Sequence, residues 1–170
     1  KNGEYVGSTA PYGYCVEKIN GICKLIVEPE AAKIVRRIFE EYASGDGIQS
    51  IIDGLFEDGV HRISDYNRYH HVYCQDVENL HQWGNSSIRA VLNRNNYYGD
   101  LVQRKYESRF QRGEKWCDIL DESQWIITPN AHEPIISREL FDKAQVRLKA
   151  AQQKTTKTTA GWEEDERAFY

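Results

Sequence analysis

The stretch Glu28–Gly59, EPEAAKIVRRIFEEYASGDGIQSIIDGLFEDG, decides how this chain folds. Proline at the first position of a helix and early carboxylates suit a helix start at Glu28-Pro29-Glu30. Val35, Ile38, Phe39 and Tyr42 then recur at helical spacing and form one apolar face. Gly45 ends that helix. A second helix starts near Asp46-Gly47, with Asp46 as its expected cap. Ile48, Ile51, Ile52, Leu55 and Phe56 form its apolar face, and Asp58-Gly59 stops it. So few residues join the two helices that they must turn sharply on each other.

Upstream, Asn20-Gly21 separates Val16–Ile19 from Ile22–Val27, a strong signal for a two-residue hairpin. Downstream, residues 60–82 carry His61, Tyr66, Tyr69, His70, His71, Tyr73 and His81 without a clean period. The reading is a long, partly ordered loop, mobile or held mainly by aromatic packing. A third helix starts near Asn85-Ser86-Ser87, where Asn85 or a serine caps it, and buries Ile88, Val91 and Leu92. Strands are expected at Tyr97–Val102, 118–120 and 125–128. A basic hairpin arm or loop, Gln103–Lys115, lies between them. Ser137 caps a last helix that runs through Leu148. The fold class is therefore α+β: a helical, helix-turn-helix-like cluster with a small antiparallel sheet and a long loop. Residues 1–153 are expected to form the domain. Residues 154–170, from the Lys/Thr-rich segment onward, form a polar linker and acidic tail.

The chain has 170 residues, 40% of them hydrophobic, which is enough for a core. No apolar run approaches the ~20 residues that cross a membrane. No hydrophobic leader follows Lys1-Asn2-Gly3-Glu4, and there is no Met, so a piece of a longer protein is expected. The four cysteines, Cys15, Cys23, Cys74 and Cys117, form no C-x-x-C pair, which argues against a zinc ribbon. They suit thiols in a reducing cytosol.

The net charge of −4 runs against nucleic-acid binding. Its distribution runs the other way. Glu163-Glu164-Asp165-Glu166 supplies much of the acid, while Arg89, Arg94, Arg104, Lys105, Arg109, Arg112 and Lys115 crowd one stretch. Only Asp100, Glu107 and Glu114 oppose them there. Asn85, Ser86, Ser87 and Arg89 suit phosphates or base edges at a helix start. Taken alone, their spacing suits caps and a solvated arginine better. In the arm, Tyr106, Phe110 and Trp116 interleave the cations, as a nucleic-acid backbone favours. A solvated loop explains that composition equally well. His70, Cys74, Asp76 and His81 are close enough in sequence to suggest zinc, but match no closed ligand spacing. His132 reads as the anchor of a turn. No glycine-elbow serine, phosphate loop or metalloprotease helix appears.

The order of these pieces resembles a known family. Gly3, Gly7 and Pro11-Tyr12-Gly13-Tyr14 lead to Glu30-Ala31-Ala32-x-Ile34-Val35-Arg36-Arg37-Ile38-Phe39-x-x-Tyr42-x-x-Gly45. Trp83 and Ser87-Ile88-Arg89-x-x-Leu92-x-Arg94-Asn95-x-Tyr97-x-Gly99 follow. His132-Glu133-Pro134-Ile135-Ile136 with Leu140-Phe141 close the pattern. Over roughly residues 3–150 the chain resembles the DNA-binding recombinase domain of large serine recombinases, most of all those of mobilisable or conjugative transposons. The acidic pI of about 5.8, the acidic tail and Gly47 depart from that pattern.

The resemblance implies a catalytic serine domain before this segment and a zinc ribbon or coiled coil after it. It assigns this piece to attachment-site recognition, in the cytoplasm, with double-stranded DNA and other recombinase subunits as partners and no membrane. The expected DNA-binding residues are Asn85, Ser86, Ser87, Arg89, Arg94, Arg104, Lys105, Arg109, Arg112 and Lys115. No catalytic residue, metal or cofactor is expected. The runner-up is a protein-interaction module that positions recombinase subunits and touches DNA weakly. A metal-dependent nuclease using the His-rich loop ranks third.

Overall fold

The computed structural model describes residues 4, 5, 7, 9–104, 106–111 and 114–166. Strands β1 (Tyr14–Ile19) and β2 (Ile22–Val27) pair antiparallel, with Ile19 opposite Ile22. Asn20 and Gly21 make the turn at φ of 52° and 83°, the left-handed pair that a two-residue hairpin requires. Five helices and four further strands follow: α1 (Pro29–Ser44), α2 (Ile48–Glu57), α3 (Ile63–Tyr69), α4 (Asn85–Leu92), β3 (Leu101–Gln103), β4 (Tyr106–Gln111), β5 (Glu114–Ile119), β6 (Ile126–Thr128) and α5 (Arg138–Glu166). The described strands form three antiparallel pairs, β1–β2, β3–β6 and β4–β5. The class is α+β, as expected, with the strand content divided among three ribbons.

α1 starts as its sequence dictates. The Glu28 carboxylate accepts the Ala31 N–H at 2.7 Å, Pro29 takes the first helical position, and Gly45 closes the helix at φ 127°. It is the central element, burying Ile34, Val35, Ile38, Phe39 and Tyr42. α2 covers it with Ile51, Ile52 and Leu55, while Phe56, assigned to the same apolar face, stays 39% exposed. α4 adds Ile88, Val91 and Leu92, and α5 adds Phe141, Ala144 and Leu148. Phe39 meets Tyr97 and Phe141 at ring-centroid distances of 5.9 and 6.0 Å. Bonds between distant parts of the chain close the core. Tyr97 Oη donates to the Tyr12 carbonyl at 2.9 Å, and Tyr14 Oη donates to the Glu133 carbonyl at 2.8 Å. The Arg147 guanidinium lies over the Tyr42 ring and donates to the carbonyls of Tyr42, Gly45 and Asp46. It thereby satisfies carbonyls that the end of α1 leaves without helical partners.

Several local expectations need correction. Gly47, not Asp46, is the N-cap of α2, and no side chain caps it. Asp46 instead offers its carbonyl to Arg147. Gly84, not Asn85 or a serine, is the N-cap of α4, again without a side-chain bond. Glycine is nearly as good as a hydroxyl at such positions, which leaves Asn85 free to bond elsewhere. The strand expected at Tyr97–Val102 begins only at Leu101. Asn95–Tyr98 form a 3-10 turn that sinks Tyr97 into the core, and Gly99 at φ 97° redirects the chain.

Finally, the segment 61–82 holds helix α3 and a 3-10 turn at Val77–Asn79. A backbone bond from Cys74 N to Gly59 O ties it to the residues just past α2, and one from His61 N to Val72 O closes it on itself, both at 2.8 Å. Aromatic packing adds to this, as expected, with His61, Tyr69 and His71 in mutual ring contact. The Lys/Thr-rich segment from Lys154 continues α5 to Glu166.

Candidate nucleic-acid interface

α4 is short, so its placement rests on three anchors. Ile88 and Leu92 are fully buried and Val91 is 2% exposed. Trp83, just before the helix, is buried against the Tyr12 ring at 5.4 Å. At the other end the Gln145 amide of α5 donates to the Leu92 carbonyl at 2.6 Å. With one side fixed, the 100° advance per residue sets the other. Asn85, Ser86, Arg89, Ala90 and Asn93 are exposed and Ser87 is half-buried.

Asn85, Arg89 and Asn93 are spaced by four residues and form a bonded stripe. Arg89 Nε donates to Asn85 Oδ1 at 2.8 Å, and Asn93 Nδ2 donates to the Arg89 carbonyl at 2.8 Å. The stripe holds the Arg89 Nε and leaves the rest of its guanidinium to solvent.

Arg94 follows at the end of α4. It is exposed and has no ion pair among the described residues. Together with Asn93 and Ala90 it lines an open groove of about 750 Å³, closed on the far side by Gln103, Arg104 and Ile126. Arg104 sits between β3 and β4 at φ 57°, a left-handed conformation that is uncommon outside glycine. Glu107 lies 4.0 Å from its guanidinium. Burial raises the Tyr5 phenol above its ordinary value, and the Arg94 charge partly offsets this, so the N-terminal segment also borders the groove.

The structure thus places Asn85, Ser86, Ser87 and Arg89 on one short helix and Arg94 just beyond its end, and lines one groove with both Arg94 and Arg104. Arg109 and Lys115 occupy successive rungs of the β4–β5 ribbon, where Arg109 pairs with Trp116 and Phe110 with Lys115. Lys105 and Arg112 lie outside the described residues. Sequence reasoning missed Asn93, Ala90 and the groove itself. Asn93 was findable, because it continues the four-residue spacing of Asn85 and Arg89. The groove was not, because it joins α4 to strands found later in the sequence.

The histidines have structural roles. His70 closes α3 in the left-handed region. His81 Nδ1 lies 3.0 Å from Asp65 Oδ2, which Arg62 Nε also meets at 2.9 Å. Burial alone pushes the Asp65 carboxyl up, but Arg62 and His81 outweigh it and hold the group below its ordinary value. Cys74 Sγ donates to the Asp76 carbonyl, and Asp76 accepts from the Asn79 amide. Among the described residues no group of three or more His, Cys, Asp or Glu is arranged to hold a metal ion. His132 bonds the Asn96 carbonyl through Nε2 at 2.7 Å, and burial lowers its pKa, so it anchors the turn before α5 as a neutral ring.

A solved structure described as "Crystal Structure of a LSR-DNA Complex" matches with a TM-score of 0.52 at 18% identity. The match covers 88% of this chain and 34% of that one, so this chain spans about a third of that neighbour's length. At this identity the likeness is one of fold. The family model described as Recombinase matches residues 29–151, from the first turn of α1 to past Leu148. That is well over half of the sequence and includes α1, α2 and α4, and the chain therefore belongs to the Recombinase family.

Proposed function

We propose that this chain binds double-stranded DNA sequence-specifically, at an attachment site, during recombination or transposition by a serine recombinase. One observation carries the reading. α4 buries an aliphatic side and offers Asn85, Ser86, Arg89 and Asn93 to solvent, in a fold shared with a neighbour described as a complex with DNA. Amides and arginines in that arrangement suit base edges in a major groove. Lys105, Arg109, Arg112 and Lys115 of the arm supply phosphate contacts that set affinity and its salt dependence. Residues 1–153 form the binding unit, and α5 runs on past it to Glu166. The working location is the cytoplasm, and other recombinase subunits join through parts of the protein beyond this domain. Among the described residues no helix is long and apolar enough to cross a membrane.

The test is selection from a randomised duplex pool, then titration of the enriched and a scrambled duplex at several salt concentrations. Enrichment of one sequence with steep salt dependence is the expected result. Equal, weak binding to all duplexes would instead favour a protein-contact module. That reading draws on the β1–β2 hairpin, which leaves Val16, Ile19 and Ile22 about 40% exposed.

The chain is further expected neither to cleave nor to join DNA by itself. Incubation with supercoiled plasmid and Mg²⁺ checks this. Nicking that disappears in His70→Ala or His81→Ala would restore the nuclease reading.

A further inference from the structure

We infer that the groove at the C-terminal end of α4 seats one sugar–phosphate strand of the bound duplex. Arg94 and Arg104 meet its phosphates, and Ala90 and Ile126 lie against its sugars. This rests on α4 being the DNA-facing helix, and it fixes where the backbone runs relative to that helix.

Three observations point the same way. First, the groove continues the exposed face of α4. Ala90 lies one turn beyond Ser86, and Asn93 one turn beyond Arg89, so a duplex against the start of the helix extends into the groove. Second, its charge runs against that of the chain. The net charge is −4, yet the described residues lining the groove include two arginines and no carboxylate. Arg94 has no ion pair among the described residues. Glu107 faces Arg104 at 4.0 Å across an exposed gap, a pairing that water and salt weaken. Third, the cations flank an apolar surface. Ile126 is 51% exposed on β6, and Ala90 is exposed on α4. A sugar–phosphate strand joins apolar rings to anions, and so matches a lining that holds both arginines and exposed apolar side chains.

Phosphate contacts position a protein without reading sequence. The groove therefore sets the register of α4 on the duplex, while Asn85, Ser86 and Arg89 meet the bases. Arg94 and Arg104 are positioning residues in this scheme.

The experiment compares wild type, Arg94→Ala, Arg104→Ala and Arg89→Ala on the enriched and scrambled duplexes. Thermal melts confirm that each variant folds. Either groove variant should weaken both duplexes by the same factor. Each should also make the log–log salt slope shallower by about 0.9, the loss of one phosphate contact. In wild type, a neutral methylphosphonate scanned along each strand should cost affinity at a few adjacent positions. One of those positions should fall silent in Arg94→Ala and its neighbour in Arg104→Ala. Arg89→Ala should instead narrow the gap between the duplexes.

If wild type selects a sequence and both groove variants keep its salt slope and methylphosphonate profile, the groove assignment fails and the reading of α4 stands. Weakening confined to the enriched duplex would make these arginines base readers and overturn the assignment as well. If wild type binds no duplex, both ideas fall together.

Discussion

Helix α4 and the segment Val60–His81 lie next to each other in sequence and are held in opposite ways. α4 is fixed by three aliphatic side chains pressed on α1 and α2, and its polar side chains are exposed apart from the half-buried Ser87. The preceding segment buries Val60, Val72 and Leu80 at no helical spacing, and is otherwise fixed by a backbone bond from Val60 to Leu55 of α2, by an ion pair around a buried aspartate and by stacked rings. Aliphatic burial at helical spacing leaves a period in the sequence. Polar and aromatic fixation does not, because Asp65, His61 and Tyr69 are as much at home on a surface. A seven-residue helix whose buried side chain is an aspartate therefore looks like a loop until its partners are known.

The contrast can be tested by breaking each region at its anchor. Ile88→Ala removes a fully buried side chain from α4 and should cost about 2–5 kcal/mol of global stability. Urea unfolding followed by circular dichroism measures it. A loss below 1 kcal/mol would mean that α4 is not held by its aliphatic face.

Arg89→Ala on the same helix should separate function from folding. Its stability should stay within about 0.5 kcal/mol of wild type, as for an exposed side chain. Binding to the enriched duplex should fall by about 1–3 kcal/mol, with discrimination relaxed at one base pair. If both affinity and specificity survive, α4 is not the reader and Arg89 is a solvated charge.

Asp65→Ala attacks the other region. Arg62 and His81 are largely exposed, so the loss should be modest, about 1 kcal/mol, and local. Amide exchange should quicken across 61–82 and stay unchanged in α4. Equal quickening in both would show that the segment and α4 open as one cooperative unit.

The smallest effect is that of pH. Burial first, then the neighbouring His71, lowers the pKa of His61 below its ordinary value. The unfolded chain therefore binds the proton more readily than the folded one. The stability this contributes is full above the unfolded value of 6.5 and is lost as pH falls below it. Stability at pH 5.5 should lie below that at pH 7.5. His132, depressed by burial, adds in the same direction. His61→Phe keeps a ring in the stack and removes the titration, so the gap should narrow without closing. An unchanged gap would place the sensitivity elsewhere.

The same physics explains what the sequence made legible. The hairpin at Asn20-Gly21, the start of α1 at Pro29, its end at Gly45 and the aliphatic face of α4 each depend on residues close in the chain. The caps at Gly47 and Gly84 were missed because a glycine N-cap carries no side-chain signal. The turn at Asn95–Tyr98 was missed because Tyr97 is drawn inward by Phe39 and Tyr12, more than 50 residues away. The residues of the candidate site were legible singly, as cations and amides. The groove that relates Arg94 to Arg104 depends on β3 and β6 folding back beside α4.

The bonds from Tyr14 to Glu133 and from Arg147 to the end of α1 have a consequence for how the protein is made. A ribosome synthesises the chain in order, and α1, α2 and α4 all emerge before α5. Until α5 arrives with Phe141, the face of α1 that it packs against, Phe39 included, stays open to water. The nascent chain must therefore wait, with a sticky apolar surface that invites chaperones and neighbours. Release truncated before residue 138 should give an insoluble product, even though every residue of α4 is present.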